Sequence, residues 1–372
     1  MNHPWSPRVP HHSHILSHVL VGALFAGASI LGAAEVVKID HHLAATPANT
    51  VDGFFSADTP PVLRVKSGEV VEIDTVNTAG VRDDNPEKFF NDNGVPLDLP
   101  AVQDILRIKK ELKPSGFRAH LMTGPIFVEG AMPGDTLEVR VLDVKSRAPY
   151  GVNGGGPGRG AIPDLVPRPF SRFIKLDLEK QVAKFTDMIE VPLHQFQGVM
   201  GIAPAAARGK LSSIPPYPDL GGNMDNKHLG RGATIYYPVQ TEGALFQTGD
   251  SHAAQGNGEV SITAIESSNT VTLQFIVRKD LPIKTIRAET ATHFILMGFD
   301  GELNLAMRMA TLQTIEFLKE KQKLDFFDAL TLASIGVDFE VTQVVDQTKG
   351  IHAMVPKALF KDGRTASYWY QP

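Results

Sequence analysis

The stretch Val62-Leu-Arg-Val-Lys-Ser-Gly-Glu-Val-Val-Glu-Ile-Asp-Thr-Val76 has the pattern that decides the fold class. Apolar and charged residues alternate on both sides of Ser67-Gly68, and the side chains of a strand point alternately to its two faces. Serine and glycine favour a tight turn between such runs. The stretch therefore predicts two strands joined by a turn, each with one face in a core.

The same alternation returns along most of the chain, whereas helical periodicity is rare. Strand-like stretches occur at 126–130, 136–144, 171–192, 233–240, 243–248, 269–277 and 339–345. Helical spacing of apolar residues occurs at 102–112 and, near the end, at Leu305–Leu318 and Asp325–Leu332. The polar stretch 80–97 and the glycine-rich stretch 150–160 are expected to be loops. We therefore predict a mainly β fold with a small C-terminal helical hairpin.

Composition limits the classes of function. The 372 residues are 42% hydrophobic, enough for one large core, and the net charge of −5 is spread along the chain. The sequence has no basic stripe typical of nucleic-acid binding and no acidic tail typical of a charge-driven partner. It also has no cysteine, which excludes thiol catalysis, disulfide bonds and cysteine-ligated metals. Any metal would be bound by His, Asp, Glu, Asn or Gln.

The N-terminus has the features of a secretory signal peptide. Arg8 precedes an apolar run at Ile15–Leu31, and the small residues Gly32-Ala-Ala34 come just before Glu35. Polar interruptions make the run short for a stable membrane span, and a retained N-terminal anchor is the alternative. We therefore predict a signal peptide at 1–34 and a secreted or periplasmic protein.

The run Asp250-Ser-His-Ala-Ala-Gln-Gly-Asn-Gly-Glu259 combines residue types that bind divalent metals. If the run is extended, Asp250 and His252 point to the same face, because side chains alternate along a strand. A carboxylate oxygen and an imidazole nitrogen on one face suit a cation of the zinc type. A polar turn without metal is the alternative interpretation.

A second oxygen-rich motif lies upstream, at Gly221-Gly-Asn-Met-Asp225. Its two glycines permit a tight turn, and Asn223 and Asp225 offer oxygen ligands. Strands predicted at 233–240 and 243–248 separate the two motifs. Asp225 and Asp250 can therefore lie at neighbouring strand ends. Alternatively, Asp225 only caps a turn.

Together, Gly221–Asp225 and Gly243–Glu259 resemble the acetamidase/formamidase family of amide hydrolases. Further blocks agree with this resemblance, namely His120–Ala131 with Pro133–Asp135, Gly198–Pro204 and Gly350–Lys357. The resemblance implies an acetamidase/formamidase-like β-sandwich architecture. It also implies hydrolysis of a short carboxamide, such as formamide or acetamide, to carboxylate and ammonia.

The resemblance extends from about Thr46 to about Phe360. We predict one acetamidase/formamidase-like catalytic domain at 35–372, because no linker is long enough to require separate domains. The proline-rich stretch 214–219 is the best candidate for an internal boundary. The substrate is expected to be a small-molecule amide, with no nucleic-acid partner and no stable membrane insertion. Edge strands in such a sheet-rich chain favour a homo-oligomer.

Amide hydrolysis requires a site that activates water, stabilises the oxyanion and protonates the departing nitrogen. The chain lacks cysteine and a Gly-x-Ser-x-Gly motif, and neither Thr123 nor Ser251 has an adjacent base by spacing. We therefore predict a metal-activated water, with the ion bound by Asp225, Asp250 and His252 and one coordination position open. Zinc is the predicted ion, with manganese, iron or calcium as alternatives.

Glu129 and His120 are the predicted catalytic residues. Glu129 would act as general base and then as general acid, which requires partial burial and a raised pKa. A salt bridge at the end of a turn is the alternative for Glu129. His120 would bind the metal or the oxyanion, or be a core histidine bonded to the backbone. His228 and His352 are isolated in the sequence, and His352 is expected to be structural.

Four more residues are expected near the substrate or behind the metal ligands. Gln255 would orient a ligand or the substrate amide, and Glu259 would support the ligands or exchange roles with Asp225. Asn223 and Thr123 complete this set.

One position departs from the family pattern. Relatives often carry a His-Trp pair just before the glycine of the Thr-Pro…Gly-Phe-Phe region, whereas this chain, aligned on Thr46-Pro47 and Gly53-Phe54, has Val51-Asp52. If that histidine binds metal or substrate in relatives, this protein prefers a different amide or has lost activity. The alternatives are therefore a hydrolase of a larger or urea-like amide and a non-catalytic periplasmic β-rich binding protein.

Overall fold

Strands dominate the fold, as the alternating sequence predicts. The computed structural model describes residues 37–76, 85–117 and 119–361, and the predicted signal peptide at 1–34 lies outside these residues. The described residues from Lys38 onward belong to one unit of the chain. Within the described ranges, no helix is both long enough and apolar enough to cross a membrane.

The described residues form 22 strands and four α-helices. The strands are β1 (His41–Leu43), β2 (Thr50–Asp52), β3 (Phe54–Phe55), β4 (Leu63–Val65), β5 (Val70–Asp74), β6 (Leu121–Val128), β7 (Thr136–Ser146), β8 (Tyr150–Gly155), β9 (Phe170–Asp177), β10 (Val182–Thr186), β11 (Ile189–Pro192), β12 (Phe196–Gly201), β13 (Leu211–Ser212), β14 (Pro216–Tyr217), β15 (Gly221–Asn223), β16 (Thr234–Pro238), β17 (Phe246–His252), β18 (Asn269–Arg278), β19 (Arg287–Glu289), β20 (His293–Asp300), β21 (Asp338–Gln343) and β22 (Lys349–Pro356). The helices are α1 (Pro86–Asp92), α2 (Pro100–Glu111), α3 (Leu303–Gln322) and α4 (Phe326–Gly336).

Two large sheets form the body of the protein. A nine-stranded sheet has the order β1-β5-β18-β7-β16-β19-β20-β22-β21, and a seven-stranded sheet has the order β14-β15-β12-β17-β6-β2, with β4 paired to β6. The remaining strands form a four-stranded sheet, β11-β10-β9-β8, and a short pair, β13-β3. The stretch 214–219, the predicted internal boundary, contains β14, which pairs with β15.

The two large sheets share one hydrophobic core. The nine-stranded sheet contributes buried side chains that include Ile73, Leu137, Val139, Ile235, Leu273 and Phe275. The seven-stranded sheet contributes buried side chains that include Met122, Ile126, Val199, Met200 and Phe246. Because each strand alternates inward and outward residues, apolar faces of both sheets meet in a sandwich. The predicted mainly β sandwich is confirmed.

The C-terminal helices pack on the outer face of the nine-stranded sheet. Phe317 and Leu318 of α3 lie in one buried cluster with Phe294 of β20 and Val355 of β22. At Gly298 of β20, an added Cβ would lie 2.3 Å from backbone atoms of α3, so only glycine permits this close approach. The predicted helical hairpin is confirmed.

Two stretches predicted as loops contain regular structure. Pro86–Asp92 forms α1, because the side chain of Asn85 accepts a hydrogen bond from the Lys88 amide and caps the helix. Tyr150–Gly155 forms β8, which pairs with β9. The glycines there serve close packing, since a Cβ at Gly151 would lie 2.9 Å from the Glu266 carbonyl oxygen. The polar composition around α1 and the glycine-rich composition of β8 are typical of loops, so neither element was predicted.

Candidate functional site

The predicted metal ligands converge above a glycine in the seven-stranded sheet. Asp250 and His252 lie at the end of β17, and the neighbouring strand β12 pairs Phe196 with His252 and places Gly198 beside Asp250. A Cβ built on Gly198 would lie 2.4 Å from Asp225 Oδ1, 2.6 Å from Asp250 Oδ2 and 3.0 Å from His252 Cε1. The three predicted ligands therefore surround one point, and the absence of a side chain at Gly198 leaves that point open.

Asp225 reaches this point from the other side of β12. It follows β15, which pairs with β12 through Val199 and Asn223. The carbonyl of Gly198 accepts hydrogen bonds from the amides of Met224 at 3.0 Å and Asp225 at 3.3 Å. Strands on both sides of β12 thus bring Asp225 and Asp250 together, as the two motifs allowed.

Three acidic residues of the site have left-handed backbones. The φ angle is +45° at Asp225, +53° at Asp250 and +46° at Glu259. A left-handed conformation at a residue other than glycine costs on the order of 1 kcal/mol or more, and such strain concentrates at functional sites. The fold therefore holds these three carboxylates in orientations that an ordinary strand would not give them.

His252 is the centre of the cluster and is fully buried. Its Nε2 lies 3.4 Å from Asp250 Oδ2 and 3.4 Å from Glu266 Oε1, and its Nδ1 lies 3.9 Å from Asp225 Oδ1. Neither ring nitrogen has a hydrogen-bond partner among the described residues. The ring packs edge-on against Phe196, with the two ring centroids 5.0 Å apart. Two unpartnered nitrogens in a buried imidazole are rare, and both are available to bind a ligand.

Glu266 belongs to the cluster although the sequence analysis did not select it. Its backbone pairs with Val152 and with His252 outside the regular strands. One carboxylate oxygen of Glu266, one of Asp250 and one ring nitrogen of His252 lie within 4.8 Å of one another, close enough to bind one metal ion. Only this long-range pairing brings Glu266 in, and the sequence contains no local signal for it.

A second group of ligand atoms shares His252. Asp225, His252 and Glu259 also offer atoms within 4.8 Å of one another. Gln255 holds the turn, because its Nε2 donates to the Asp225 carbonyl at 2.8 Å. Both carboxylate oxygens of Asp225, Oε2 of Glu259 and Oε1 of Gln255 are buried without a hydrogen-bond partner in the described part of the chain.

Burial and mutual repulsion raise the pKa of most of these acids. Burial raises the pKa of Asp225, and the charge of Asp250 raises it further. Burial, followed by the charge of Asp225, raises the pKa values of Glu259 and Asp346 well above their usual range. Burial raises the pKa of Glu266 to about 7. The site thus contains more acidic groups than it can hold ionised without added positive charge.

The imidazoles of His120 and His252 offset the excess negative charge at Asp250. Burial opposes ionisation of Asp250, but the charges of His120 and His252 hold its pKa well below the usual range. Burial likewise opposes protonation of His252, but Glu266 and Asp250 raise its pKa well above the usual value. These opposed shifts identify an electrostatically coupled centre of the type found in active sites.

His120 lies at the edge of this centre. Its Nε2 is 3.8 Å from Asp250 Oδ2, and its Nδ1 is 3.0 Å from Ser213 Oγ. Its backbone amide also donates to Ser213 Oγ, at 3.3 Å. The ring is only partly buried, so its position is fixed by Ser213 while one nitrogen faces the cluster.

Val51 and Asp52, the position at which the sequence analysis expects a departure from the family pattern, lie beside the strand that follows His120. In β2, Val51 pairs with Met122 and Asp52 pairs with Leu121. Val51 packs in the shared core, and the Asp52 carboxylate accepts a hydrogen bond from the Ser115 amide at 2.8 Å. The departure from the family pattern therefore lies next to the site.

Glu129 is not brought to the cluster. It is exposed and follows the far end of β6, where Ile126 pairs with Phe246, whereas Met122 at the other end pairs with Gly249. The partial burial expected for a general base at Glu129 is therefore wrong. Neither the location of Glu129 in a family-like block nor its alternation with an apolar residue shows how far it lies from the cluster.

Thr123 and Asn223 are both buried in the seven-stranded sheet. Thr123 Oγ1 donates to the Asp74 carbonyl at 2.7 Å, a bond that serves the fold. Asn223 lies two residues before Asp225, and its Oδ1 is buried without a partner among the residues described. Asn223 is thus the member of this pair with an unused polar atom close to the ligands.

A pocket of about 440 Å³ opens beside the cluster. Glu259 and Gln255 form part of its wall, so the buried acidic group reaches a space that a small molecule can enter. Apolar side chains line much of the remainder, including Ile174, Val191 and Ile265. Concave, mainly apolar pockets with a few convergent polar groups are typical of ligand sites.

Comparison with known proteins identifies the class to which this fold and site belong. The model of the Acetamidase/Formamidase family matches residues 38–210 and 205–362. The chain belongs to this family, and the resemblance seen in the sequence is confirmed. Its class is therefore that of the amidases, as predicted.

Individual relatives agree with this assignment. The formamidase of Methylophilus methylotrophus is 26% identical over 280 residues, which cover 55% of this chain and 67% of the relative. A solved structure of a predicted acetamidase/formamidase from Thermoanaerobacter tengcongensis is similar with a TM-score of 0.72 and 28% identity, covering 86% of this chain and 97% of that one. The solved acetamidase of Bacillus halodurans has a TM-score of 0.70 and 28% identity, covering 86% and 98% respectively.

Proposed function

We propose that the protein hydrolyses a short-chain carboxamide, of the formamide or acetamide type, to carboxylate and ammonia. Membership of the acetamidase/formamidase family supports the reaction class. The observation that carries the proposal is the convergence of Asp225, Asp250 and His252 above Gly198, with buried polar atoms that lack partners in the described chain. Such a centre beside a pocket suits a reaction that activates water.

The donor set fits a divalent cation. Buried carboxylates without partners are costly, and the cost falls when a cation compensates their charge. Carboxylate oxygens and one imidazole nitrogen suit zinc, with manganese, iron or calcium as further possibilities for the same set. We propose that Asp225, Asp250 and His252 hold this ion. When bound there, it would lower the pKa of a water molecule to about 7 and polarise the amide carbonyl.

Glu259 is the proposed general base and acid. It is buried, it lines the pocket, and burial raises its pKa well above the usual range. A carboxyl group with a raised pKa can accept a proton from the attacking water and return it to the departing nitrogen. Glu259 therefore takes over the role that the sequence analysis gave to Glu129.

The other groups orient the reactants. Glu266 lies 3.4 Å from His252 Nε2 and restrains the ring, as a carboxylate behind a metal-bound histidine does. His120, fixed by Ser213, can donate a hydrogen bond to the oxyanion. Gln255 Oε1 has no hydrogen-bond partner in the described chain and can accept a bond from the substrate NH₂ group.

Ammonia release tests the proposal directly. The purified protein is stripped with a chelator, and formamide, acetamide and propionamide are then assayed before and after addition of Zn²⁺, Mn²⁺ or Ca²⁺. We expect turnover that is lost with the chelator and restored by one of the ions. The Asp250→Asn variant should lose bound metal and activity together, whereas the exposed Asp338→Asn variant should retain both. Absence of ammonia from every amide with metal supplied would exclude the reaction, and chelator-resistant turnover would exclude the metal.

The pocket favours a second candidate, hydrolysis of a larger carboxamide. A volume of about 440 Å³ with an apolar lining exceeds the needs of formamide. Rates for amides of increasing acyl length distinguish the two candidates. An increase of kcat/KM from acetamide to hexanamide would support the larger substrate, and a decrease would support the shorter one.

A further inference from the structure

Two histidines and a glutamate form a second cluster at the edge of the nine-stranded sheet. His352 of β22 is the direct cross-strand partner of Glu340 of β21, so both side chains lie on one face. His228 comes from the turn Lys227–Leu229, which follows Asp225. Glu340 Oε2 lies 3.5 Å from His352 Nε2 and 3.8 Å from His228 Nε2. These residues are remote in sequence, and only the fold brings them together.

The free nitrogens of both imidazoles point into this cluster. Nε2 of His352 and Nε2 of His228 are each buried and lack a hydrogen-bond partner within the described ranges. His352 is fully buried, and its other nitrogen, Nδ1, is 2.7 Å from Thr342 Oγ1. A histidine that donates Nδ1–H to such an oxygen carries its lone pair on Nε2. Thr342 therefore can fix the tautomer in which His352 Nε2 faces Glu340 as a free ligand.

We propose that His228, Glu340 and His352 bind a second divalent cation of the zinc type, separate from the centre around His252. Two histidines and one carboxylate are a zinc-binding set that leaves a fourth position for water. In a tetrahedral site with bonds near 2.0–2.1 Å, neighbouring ligand atoms lie about 3.3 Å apart. The separations of 3.5 and 3.8 Å from Glu340 Oε2 are close to this value, and all three ligand atoms lie within 4.8 Å of one another.

The chemical state of the histidines suits a metal ion. Burial, followed by the charges of His228 and Lys227, lowers the pKa of His352 to about 3. Burial also lowers the pKa of His228. Both shifts favour the neutral imidazole, which is the form that binds metals. Glu340 and His228 are partly exposed, which leaves a path for the ion.

A cation here would brace two segments of the active centre. His228 follows Asp225 by three residues. Asn257, which lies two residues before Glu259, donates a hydrogen bond to the Glu340 carboxylate. The amide of Gly258 also donates to the Thr342 carbonyl at 3.0 Å. The second ion would therefore tie the turn after Asp225 and the segment before Glu259 to the edge of the large sheet. Its role goes beyond the proposed hydrolysis, since it takes part in no chemical step.

Metal stoichiometry and thermal stability test this site. The full chain is stripped, titrated with Zn²⁺ by calorimetry and analysed for bound zinc after dialysis. We expect two equivalents for the parent protein and one equivalent for His228→Asn or Glu340→Gln. Asp338→Asn on the same strand is the control and should bind two. Zinc should also raise the Tm of the Asp250→Asn variant. This increase should be absent from the double variant that also carries His228→Asn.

The two metal proposals fail in different ways. Parent-like zinc content in both His228→Asn and Glu340→Gln would overturn the second site. If Asp250→Asn retains the parent stoichiometry while His228→Asn loses one equivalent, the second site stands and the metal at His252 does not. His228 and Glu340 are partly exposed, so these variants are suited to the test, and circular dichroism verifies that each is folded. The fully buried His352→Asn variant serves as a third measurement.

Discussion

Asp225 Oδ1 and His252 Nδ1 lie 3.9 Å apart, and neither atom has a hydrogen-bond partner among the described residues. The distance is too long for a direct hydrogen bond and suits two ligands of one ion. Both side chains are about 1% exposed, so bulk water does not solvate them. The pair is arranged as two ligands of the proposed ion would be, and removing the charge of Asp225 should have separate effects on function and on stability.

The Asp225→Asn substitution should abolish activity and stabilise the metal-free protein. The carboxylate is buried, and the nearby Asp250 repels it, so a neutral amide removes an unfavourable charge. We expect activity to fall by about 100-fold or more and the metal-free protein to gain on the order of 1 kcal/mol. Ammonia release measures activity, zinc analysis measures bound metal, and denaturation in chelator measures stability. A metal-free variant that is less stable than the parent would contradict the account of the site as an uncompensated acidic cluster.

Gly198→Ala should weaken metal binding without unfolding the protein. The added methyl group would lie 2.4 Å from Asp225 Oδ1 and 2.6 Å from Asp250 Oδ2, so both carboxylates must move. We expect a loss of metal affinity of about 10- to 100-fold, measured by zinc titration. Gly301→Ala is the control, because its nearest neighbour would be 3.9 Å away. Equal zinc affinity in the two variants would mean that the carboxylates do not converge at Gly198 in solution.

The period-two pattern was sufficient to predict a mainly β fold, because alternation determines which face of a strand is buried, whereas the sandwich architecture was implied by the family resemblance. Val70–Asp74 and Thr136–Ser146 were recognisable in this way, and they flank β18 in the nine-stranded sheet. The pattern failed where other forces decide the structure. At Pro86–Asp92 a local cap forms a helix in a polar stretch, and at Tyr150–Gly155 glycines permit close packing of a strand.

The sequence analysis placed Asp225, Asp250 and His252 together, and the fold brings these three side chains together, but it missed Glu266. Asp250 and His252 are two residues apart, so the prediction that they act together needed only strand geometry. Asp250 nevertheless has a φ angle of +53°, so its final direction also depends on a local distortion. Glu266 joins through backbone pairings with Val152 and His252, and no spacing in the sequence could reveal it.

Glu259→Gln and Glu129→Gln should differ sharply in activity. Glu259 is buried at the pocket wall, whereas Glu129 is exposed at the far end of β6. Loss of a general base should lower kcat by about 100-fold or more in Glu259→Gln, while Glu129→Gln should behave like the parent. Steady-state ammonia release gives kcat and KM for each variant. If zinc content stays at the parent level in Glu259→Gln, its effect is on proton transfer; inactivity of Glu129→Gln would instead restore the role predicted from the sequence.

The metal-free protein should lose stability as pH rises from about 4.5 toward 7. Burial raises the pKa of Glu266 from its ordinary value of 4.5 to about 7, and the pKa values of Asp225, Glu259 and Asp346 shift in the same direction. Between the unfolded and folded pKa values, the folded state holds protons that the unfolded chain has released. Its free energy of unfolding therefore falls with rising pH, by about 1.4 kcal/mol per pH unit for each proton held.

His252 extends this trend above pH 6.5, because its pKa is raised and its stabilising charge is lost as pH increases. Asp250 has the opposite shift, so its contribution is present above its usual pKa of 3.8 and is lost only on further acidification. Zinc should reverse the slope, since protons compete with the metal for the same ligands and binding strengthens as pH rises. Urea denaturation between pH 4.5 and 7.5, with chelator and with excess zinc, measures both slopes. Two parallel curves would show that the cation does not bind at these carboxylates.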